Sequence, residues 1–260
     1  MELKKLIELQ GRLWAGWRTL SVVCMLIALW QIGFELFGTL ILPEPLAAFN
    51  RAIIFLGDNA GYAYTLATLK RAVVGFLLAS FAGIALGLCA GWSNTLSLLC
   101  RPVITVSLGV PPIAWIVLAM LWFGARDGTP IFTVFIATAP IIFAGTLQGV
   151  RMRDVDLDEM AKSYRIGWLT SFWHVQLPQI VAYLFPAWAT AFGVSWKVVV
   201  MAELLSSSVG IGAGLSEARV NIDSEATMAW IAIIVGLLLL IEGLVLNPIK
   251  DKVEGWKHAA

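Results

Sequence analysis

The chain has 260 residues, of which 59 % are hydrophobic and only 13 % charged, and its net charge is +1. Soluble domains carry about 45–50 % apolar and about 25 % charged residues, so an ordinary water-facing surface is excluded. The near-zero net charge excludes the basic field of a nucleic-acid binder and the imbalance of a disordered chain. The composition is that of an integral membrane protein.

The charges are bunched, and the charge-free stretches between them define the elements. A spanning helix needs about 20 mostly apolar residues. Six spans are predicted, over 19–42, 65–91, 105–123, 130–149, 180–205 and 226–247. None has the alternating pattern of a membrane barrel, so the fold class is all-α integral membrane with six transmembrane helices. Ahead of the first span, Leu3, Leu6, Ile7, Leu13, Trp14 and Trp17 recur at helical spacing. They predict an amphipathic cytoplasmic segment over 1–18 that lies on the membrane. The first apolar run is too long for a signal-peptide core, and Leu42-Pro43-Glu44-Pro45 offers no cleavage site. Residues 19–58 therefore read as an anchor and outer loop.

Orientation follows from Lys and Arg placement. With both termini inside, Lys4, Lys5, Arg12, Arg18, Arg101, Arg151, Arg153, Lys162, Arg165, Lys250, Lys252 and Lys257 are cytoplasmic. Arg51, Lys70, Arg71, Arg126 and Arg219 fall on the outer side. The second span carries Gly75, Ala79, Gly83, Gly87 and Gly91, a small residue every fourth position. Such a stripe admits a second helix at backbone distance, either within the bundle or from another subunit. Pro102, Pro111 and Pro112 break the third span near its start, while Pro140 and Pro186 interrupt the fourth and fifth. Each frees a carbonyl that protein or water must satisfy, which suits a transport path or a packing kink.

The connection 150–178 differs from the others. Arg151, Arg153, Asp154, Asp156, Asp158, Glu159, Lys162 and Arg165 crowd its first half, and the acidic run suits a capped helix start. Gly167 permits a turn, and Phe172, Trp173, Val175 and Leu177 form an apolar segment ending at Pro178. Two short helices joined at that glycine would make a docking knob on the membrane surface. In the fifth span, Lys197 is the one Lys, Arg, Asp or Glu between Arg165 and Glu203. A charge at that depth faces a bundle interior or a water-filled cavity, so Lys197 either lines a path or pairs structurally. Glu203 lies about 9 Å further along the axis on a different face, which does not secure a pair. Glu35 and Glu242 are read as interfacial. Cys24, Cys89 and Cys100 are isolated thiols, and His174 and His258 are far apart, so no metal site or disulfide is indicated.

Glu159-Met160-Ala161 with Val175-Gln176-Leu177-Pro178 resembles the EAA loop of permease subunits of binding-protein-dependent ABC importers. There are two departures: Arg165 occupies the motif's usual glycine position, with Gly167 two residues later, and Met160 replaces the commoner alanine. Further segments are similar to the nitrate/sulfonate/taurine/bicarbonate branch. These are Pro111-Pro112-Ile113-Ala114-Trp115 with Leu121-Trp122-Phe123-Gly124, Ser195-Trp196-Lys197-Val198-Val199-Val200 with Ala202-Glu203, and Gly210-Ile211-Gly212 with Glu217-Ala218-Arg219.

The resemblance implies a type I ABC importer permease (MetI-like) fold with a core over 59–249 and a cytoplasmic tail over 250–260. It further implies a multi-pass protein of the cell inner membrane that forms a path for a small solute such as nitrate, a sulfonate or taurine. The implied coupling loop contains Glu159, Met160, Ala161, Arg165, Gly167, Leu177 and Pro178. The implied path contains Pro111, Pro112, Trp115, Ser195, Trp196, Lys197 and Glu203. The implied partners are cytoplasmic ABC ATPase subunits, which bind ATP and Mg, a second permease copy, and a periplasmic or lipid-anchored substrate-binding protein. Lipid surrounds the chain, and nucleic acid is not among the partners. No G-x-x-x-x-G-K-[ST] phosphate cradle occurs in the chain, so neither a cofactor nor a catalytic residue is expected in it. An ion-gradient-driven secondary transporter is the alternative, but no repeat relates the two halves as that class tends to show. A membrane enzyme would need clustered His, Asp or Cys in the spans.

Overall fold

The computed structural model describes residues 21–39, 41–246 and 248. The expected segment 1–18 and tail 250–260 lie outside them. Among the described residues there is no strand. In chain order the helices are α1 (Ser21–Phe37), α2 (Pro45–Gly57), α3 (Asn59–Trp92), α4 (Asn94–Gly109), α5 (Pro112–Phe123) and α6 (Gly128–Arg151). They continue with α7 (Val155–Ser163), α8 (Trp168–Ser171), a π-helical turn (Phe172–Gln176), α9 (Leu177–Ser206), α10 (Ile211–Val220) and α11 (Ser224–Ile241). A second π turn, Glu242–Leu246, prolongs α11.

The centre of the bundle is a three-helix sandwich, α3 against α6 against α9. Glycine explains its closeness. A Cβ on Gly75 would come within 2.8 Å of Val134, one on Gly83 within 2.9 Å of the Ala139 carbonyl, and one on Gly87 within 2.6 Å of Thr146. On the other face of α6, a Cβ on Gly149 would come within 2.8 Å of the Ile180 carbonyl. Lipid offers no hydrophobic drive for helix association, so such close backbone packing holds the helices together. The polar residues of α6 are satisfied locally. Thr133, Thr138 and Thr146 are fully buried, and each hydroxyl donates to the carbonyl four residues back at 2.7–2.8 Å.

Four helical runs are long and apolar enough to cross a membrane: Asn59–Trp92, Gly128–Arg151, the continuous Trp168–Ser206, and Ser224–Leu244. The expected third span is a bent pair instead. Val110 is extended and Pro111 and Pro112 follow, so α4 ends where α5 begins and the two meet at 99°. Counting that pair as one gives five spans. The first expected span, 19–42, corresponds to the 17-residue α1 and the segment after it. Pro140 and Pro186 sit inside continuous helices. At one end of the bundle, α2, α3 and α11 are fastened by stacked rings: Phe55 and Tyr64 lie 4.7 and 5.9 Å from Trp230.

Candidate functional site

The connection after α6 folds as one short helix, α7, followed by the four-residue α8, which runs through the π turn directly into α9. Asp154 caps α7 by accepting from the Asp156 amide at 2.9 Å, and Asp156 and Asp158 occupy the first turn where the helix dipole favours them. The knob is tied to α9 by side chains that sequence reading did not single out. Gln179 accepts from the Asp154 amide at 2.7 Å, and Gln176 donates to Asp158 at 3.2 Å. Arg153 donates to the Val150 carbonyl at 2.8 Å and pairs with Asp158 at 3.4 Å, which fixes the junction with α6.

The turn between the helices is at Arg165, which corrects the expectation that Gly167 makes it. Gly167 has φ −58°, available to any residue, and a Cβ there would meet open space. Arg165 has φ +52°. Its amide donates to the Lys162 carbonyl at 2.9 Å and the Ile166 amide to the Ala161 carbonyl at 3.0 Å. That is a complete Schellman cap with arginine at the position that favours glycine. Ala161 is buried beneath it, while Glu159 and Met160 are exposed. Leu177 and Pro178 are half-buried where α9 starts. Tyr164 and Trp168 are 77 % and 80 % exposed, and Trp173 is also exposed. The knob thus presents an uncovered aromatic surface, of the kind that marks an interaction site.

At the other end of α6 lies an ionic cluster. The sequence reading counted Arg71 with outer-side charges, but α3 begins at Asn59, so Arg71 lies inside the helix and is 8 % exposed. Its Nη1 lies 2.6 Å from Glu203 Oε1 and also donates to the Val209 carbonyl at 2.6 Å. Its Nε and Nη2 donate to Asp127 at 2.9 and 2.5 Å. Glu203 is fully buried; its other oxygen accepts from the Thr68 hydroxyl at 2.7 Å and the Gly212 amide at 3.2 Å. The Thr68 hydroxyl in turn accepts from the Ile211 amide at 2.8 Å. Glycine is required here: Gly210 has φ +133°, and a Cβ on it would stand 2.6 Å from the Glu203 carboxylate. Gly210-Ile211-Gly212 is thereby explained as the cradle of a carboxylate.

The residues expected along a path separate into two groups. Ser195, Trp196 and Glu203 are buried: Ser195 donates to the Phe192 carbonyl at 2.7 Å and Trp196 to the Ile234 carbonyl at 3.1 Å. In this chain all three are turned into the helix packing. Pro111 and Pro112 are exposed at the α4–α5 bend, with Trp115 half-buried one turn on. Lys197 is exposed and opens into a groove of about 490 Å³ between α9 and the end of α11. Of the small-residue stripe, Gly75, Ala79, Gly83 and Gly87 are buried, and Gly75, Gly83, Gly87 and Gly91 fit against side chains or backbone of α6. Among the described residues no group of three or more His, Cys, Asp or Glu is placed to hold a metal ion.

A bundle of apolar helices long enough to cross a membrane, with a structured connection between two of them, defines a multi-pass membrane protein. The family model described as "Binding-protein-dependent transport system inner membrane component" matches residues 75–254, and the chain belongs to that family. It is similar to the nitrate import permease protein NrtB of Leptolyngbya laminosa, 35 % identical over 183 residues, which are 70 % of this chain and 64 % of that one. The bicarbonate transport system permease protein CmpB of Synechococcus elongatus is 31 % identical, with 82 % of this chain and 81 % of that protein covered. A crystal structure of an amino acid ABC transporter with histidines superposes with a TM-score of 0.63 at 17 % identity, over 80 % of this chain and 97 % of that one. It shares the fold. The relatives fall in the nitrate, sulfonate, taurine and bicarbonate branch, in agreement with the sequence motifs.

Proposed function

We propose that this chain is the membrane half of an ABC importer for a small solute of the nitrate, sulfonate, taurine or bicarbonate kind, and that the α7–α8 knob receives force from a cytoplasmic ATPase. The observation that carries this reading is the knob itself: an exposed aromatic surface on α7 and on α8, which is continuous with α9, hydrogen-bonded at the end of α6 and the start of α9. A partner that grips this surface moves two spans at once. ATP and Mg belong to that partner, and this chain supplies the path. A second copy completes the path across its exposed faces, a binding protein delivers the solute, and both termini face the cytoplasm with the knob.

Glu159, exposed on α7, is the residue to test. Glu159→Arg is expected to abolish uptake in cells expressing the full importer, with the permease still in the membrane and the ATPase lost from the purified complex. Normal uptake by that variant would overturn the coupling role. Uptake that survives ATP depletion but stops when the proton gradient collapses would replace the reading with a secondary transporter.

A further inference from the structure

At the knob end of the bundle, a hollow of about 390 Å³ opens between α4 and the last turns of α6. Two arginines face it, Arg101 from α4 and Arg151 from the end of α6. Among the described residues neither guanidinium has a carboxylate within ion-pair distance, in contrast to Arg51, Arg71 and Arg153. Arg151 Nη2 donates to the hydroxyl of the buried Ser97 at 2.7 Å. Ser97 and Arg101 are four residues apart on α4, which puts their Cβ atoms on one face about 5–6 Å apart. That bond therefore holds the Arg151 guanidinium one helical turn from the root of Arg101. Two cations held so close repel each other until an anion lies between them.

The rest of the hollow is mostly apolar, with Ile104, Phe143, Ala144, Leu147 and Met152 as its walls. On α6 it runs from Arg151 back to Phe143, about 12 Å by helical rise, close to half the thickness of a hydrocarbon core of about 30 Å. Ile104 and Phe143 are also walls of a second, apolar hollow of about 290 Å³, lined in addition by Leu86 of α3, Val103 of α4 and Ile136 of α6. Leu98, Leu99 and Val103 are exposed, so Arg101 is carried by a helix whose open surface is apolar.

We infer that this hollow binds an anionic phospholipid, with its phosphate between Arg101 and Arg151 and an acyl chain along Leu147 and Phe143. A free anion would satisfy the two cations and leave the apolar walls to water. A zwitterionic lipid would bring its own cation against both guanidiniums. An anionic lipid satisfies charge and walls together, as basic pockets between membrane helices do for anionic headgroups. Arg151 ends the helix that leads into the knob, so the bound lipid braces α4 against α6 just before α7. The site makes no demand on what is transported and stands apart from the importer reading.

The test uses the delipidated full-length permease in detergent, titrated with dioleoyl-phosphatidylglycerol, dioleoyl-phosphatidylcholine or inorganic phosphate, with bound lipid counted by native mass spectrometry. The wild type is expected to hold one phosphatidylglycerol per chain about tenfold more tightly than phosphatidylcholine, the scale of one charge-assisted contact. Arg101→Gln and Arg151→Gln are each expected to remove that preference and to leave phosphatidylcholine binding unchanged. Arg101→Lys and Arg151→Lys keep the charge and should keep most of the preference, which separates loss of the site from loss of the fold. Inorganic phosphate that displaces phosphatidylglycerol from the wild type would make the hollow a free-anion site and overturn the lipid assignment. A wild type without headgroup preference, or glutamine variants that retain it, would overturn the proposal outright. Glutamine variants that shift the ratio of monomer to dimer while phosphatidylglycerol stays bound would assign the face to a second copy, which also overturns it.

Discussion

Arg165 shows how one residue can occupy a place designed for another. Its backbone is in the left-handed region at φ +52°, where a Cβ crowds the neighbouring carbonyl and costs about 1–2 kcal/mol. Among the described residues its guanidinium has no partner to repay that. Arg165→Gly is therefore expected to stabilise the knob by about 0.5–1 kcal/mol after glycine's greater freedom in the unfolded chain is subtracted. A rise of about 2 °C in the melting midpoint of the detergent-solubilised protein would register it; an unchanged or lower midpoint would mean the cap is not strained. Residue type alone favours a turn at Gly167, because glycine is the usual marker of a left-handed position. What identifies the turn is the pair of bonds to Lys162 and Ala161, and bonds between backbone groups leave no trace in residue type. Ile222 is a second such case, with φ +55°, its amide donating to the Arg219 carbonyl and the Asp223 amide to the Ala218 carbonyl.

At the scale of elements, the Arg71 cluster is a joint. One guanidinium reaches Asp127 just before α6, Glu203 in α9 and the Val209 carbonyl before α10, so four elements meet on a group carried by α3. Removing one partner of a buried pair strands the other, at about 3–5 kcal/mol. Arg71→Met should therefore lower the melting midpoint strongly, and the double variant Arg71→Met with Glu203→Met should recover a substantial part of the loss. Equal losses in the single and double variants would show that the charge pair is not what holds the joint. Periodicity could mark both helices but not this pairing, since Arg71 and Glu203 lie 132 positions apart. The available signal was coarse: a Lys70-Arg71 pair ahead of one apolar run and a carboxylate at the end of another, with a Gly-x-Gly shortly after the carboxylate. Similarly, Pro111-Pro112 announced a break between α4 and α5, whereas its 99° angle is set by the helices on either side.

For the whole molecule, the apolar runs and the odd loop were legible because each is a local property of composition, and the three-helix sandwich was half-legible in its glycine stripe. The partner of that stripe was not, because small residues admit a neighbour without naming it. The orientation of the bundle makes a direct prediction. In a variant without native cysteines, a cysteine at Tyr164 on the knob should react with a membrane-impermeant maleimide only after cells are opened. A cysteine at Asn221, beyond α10, should react in intact cells. The opposite pattern would invert the molecule and detach the knob from any cytoplasmic ATPase.

The knob and the ionic joint are the two ends of one rod. Helix α6 has 24 residues, about 36 Å by helical rise; Arg153 fastens the segment just past one end and Asp127 precedes the other. Pivoted at the joint, such a rod converts a tilt of about 10° into about 6 Å of travel at the knob. Because α6 is packed closely against both α3 and α9, any tilt of α6 would have to be shared by all three helices.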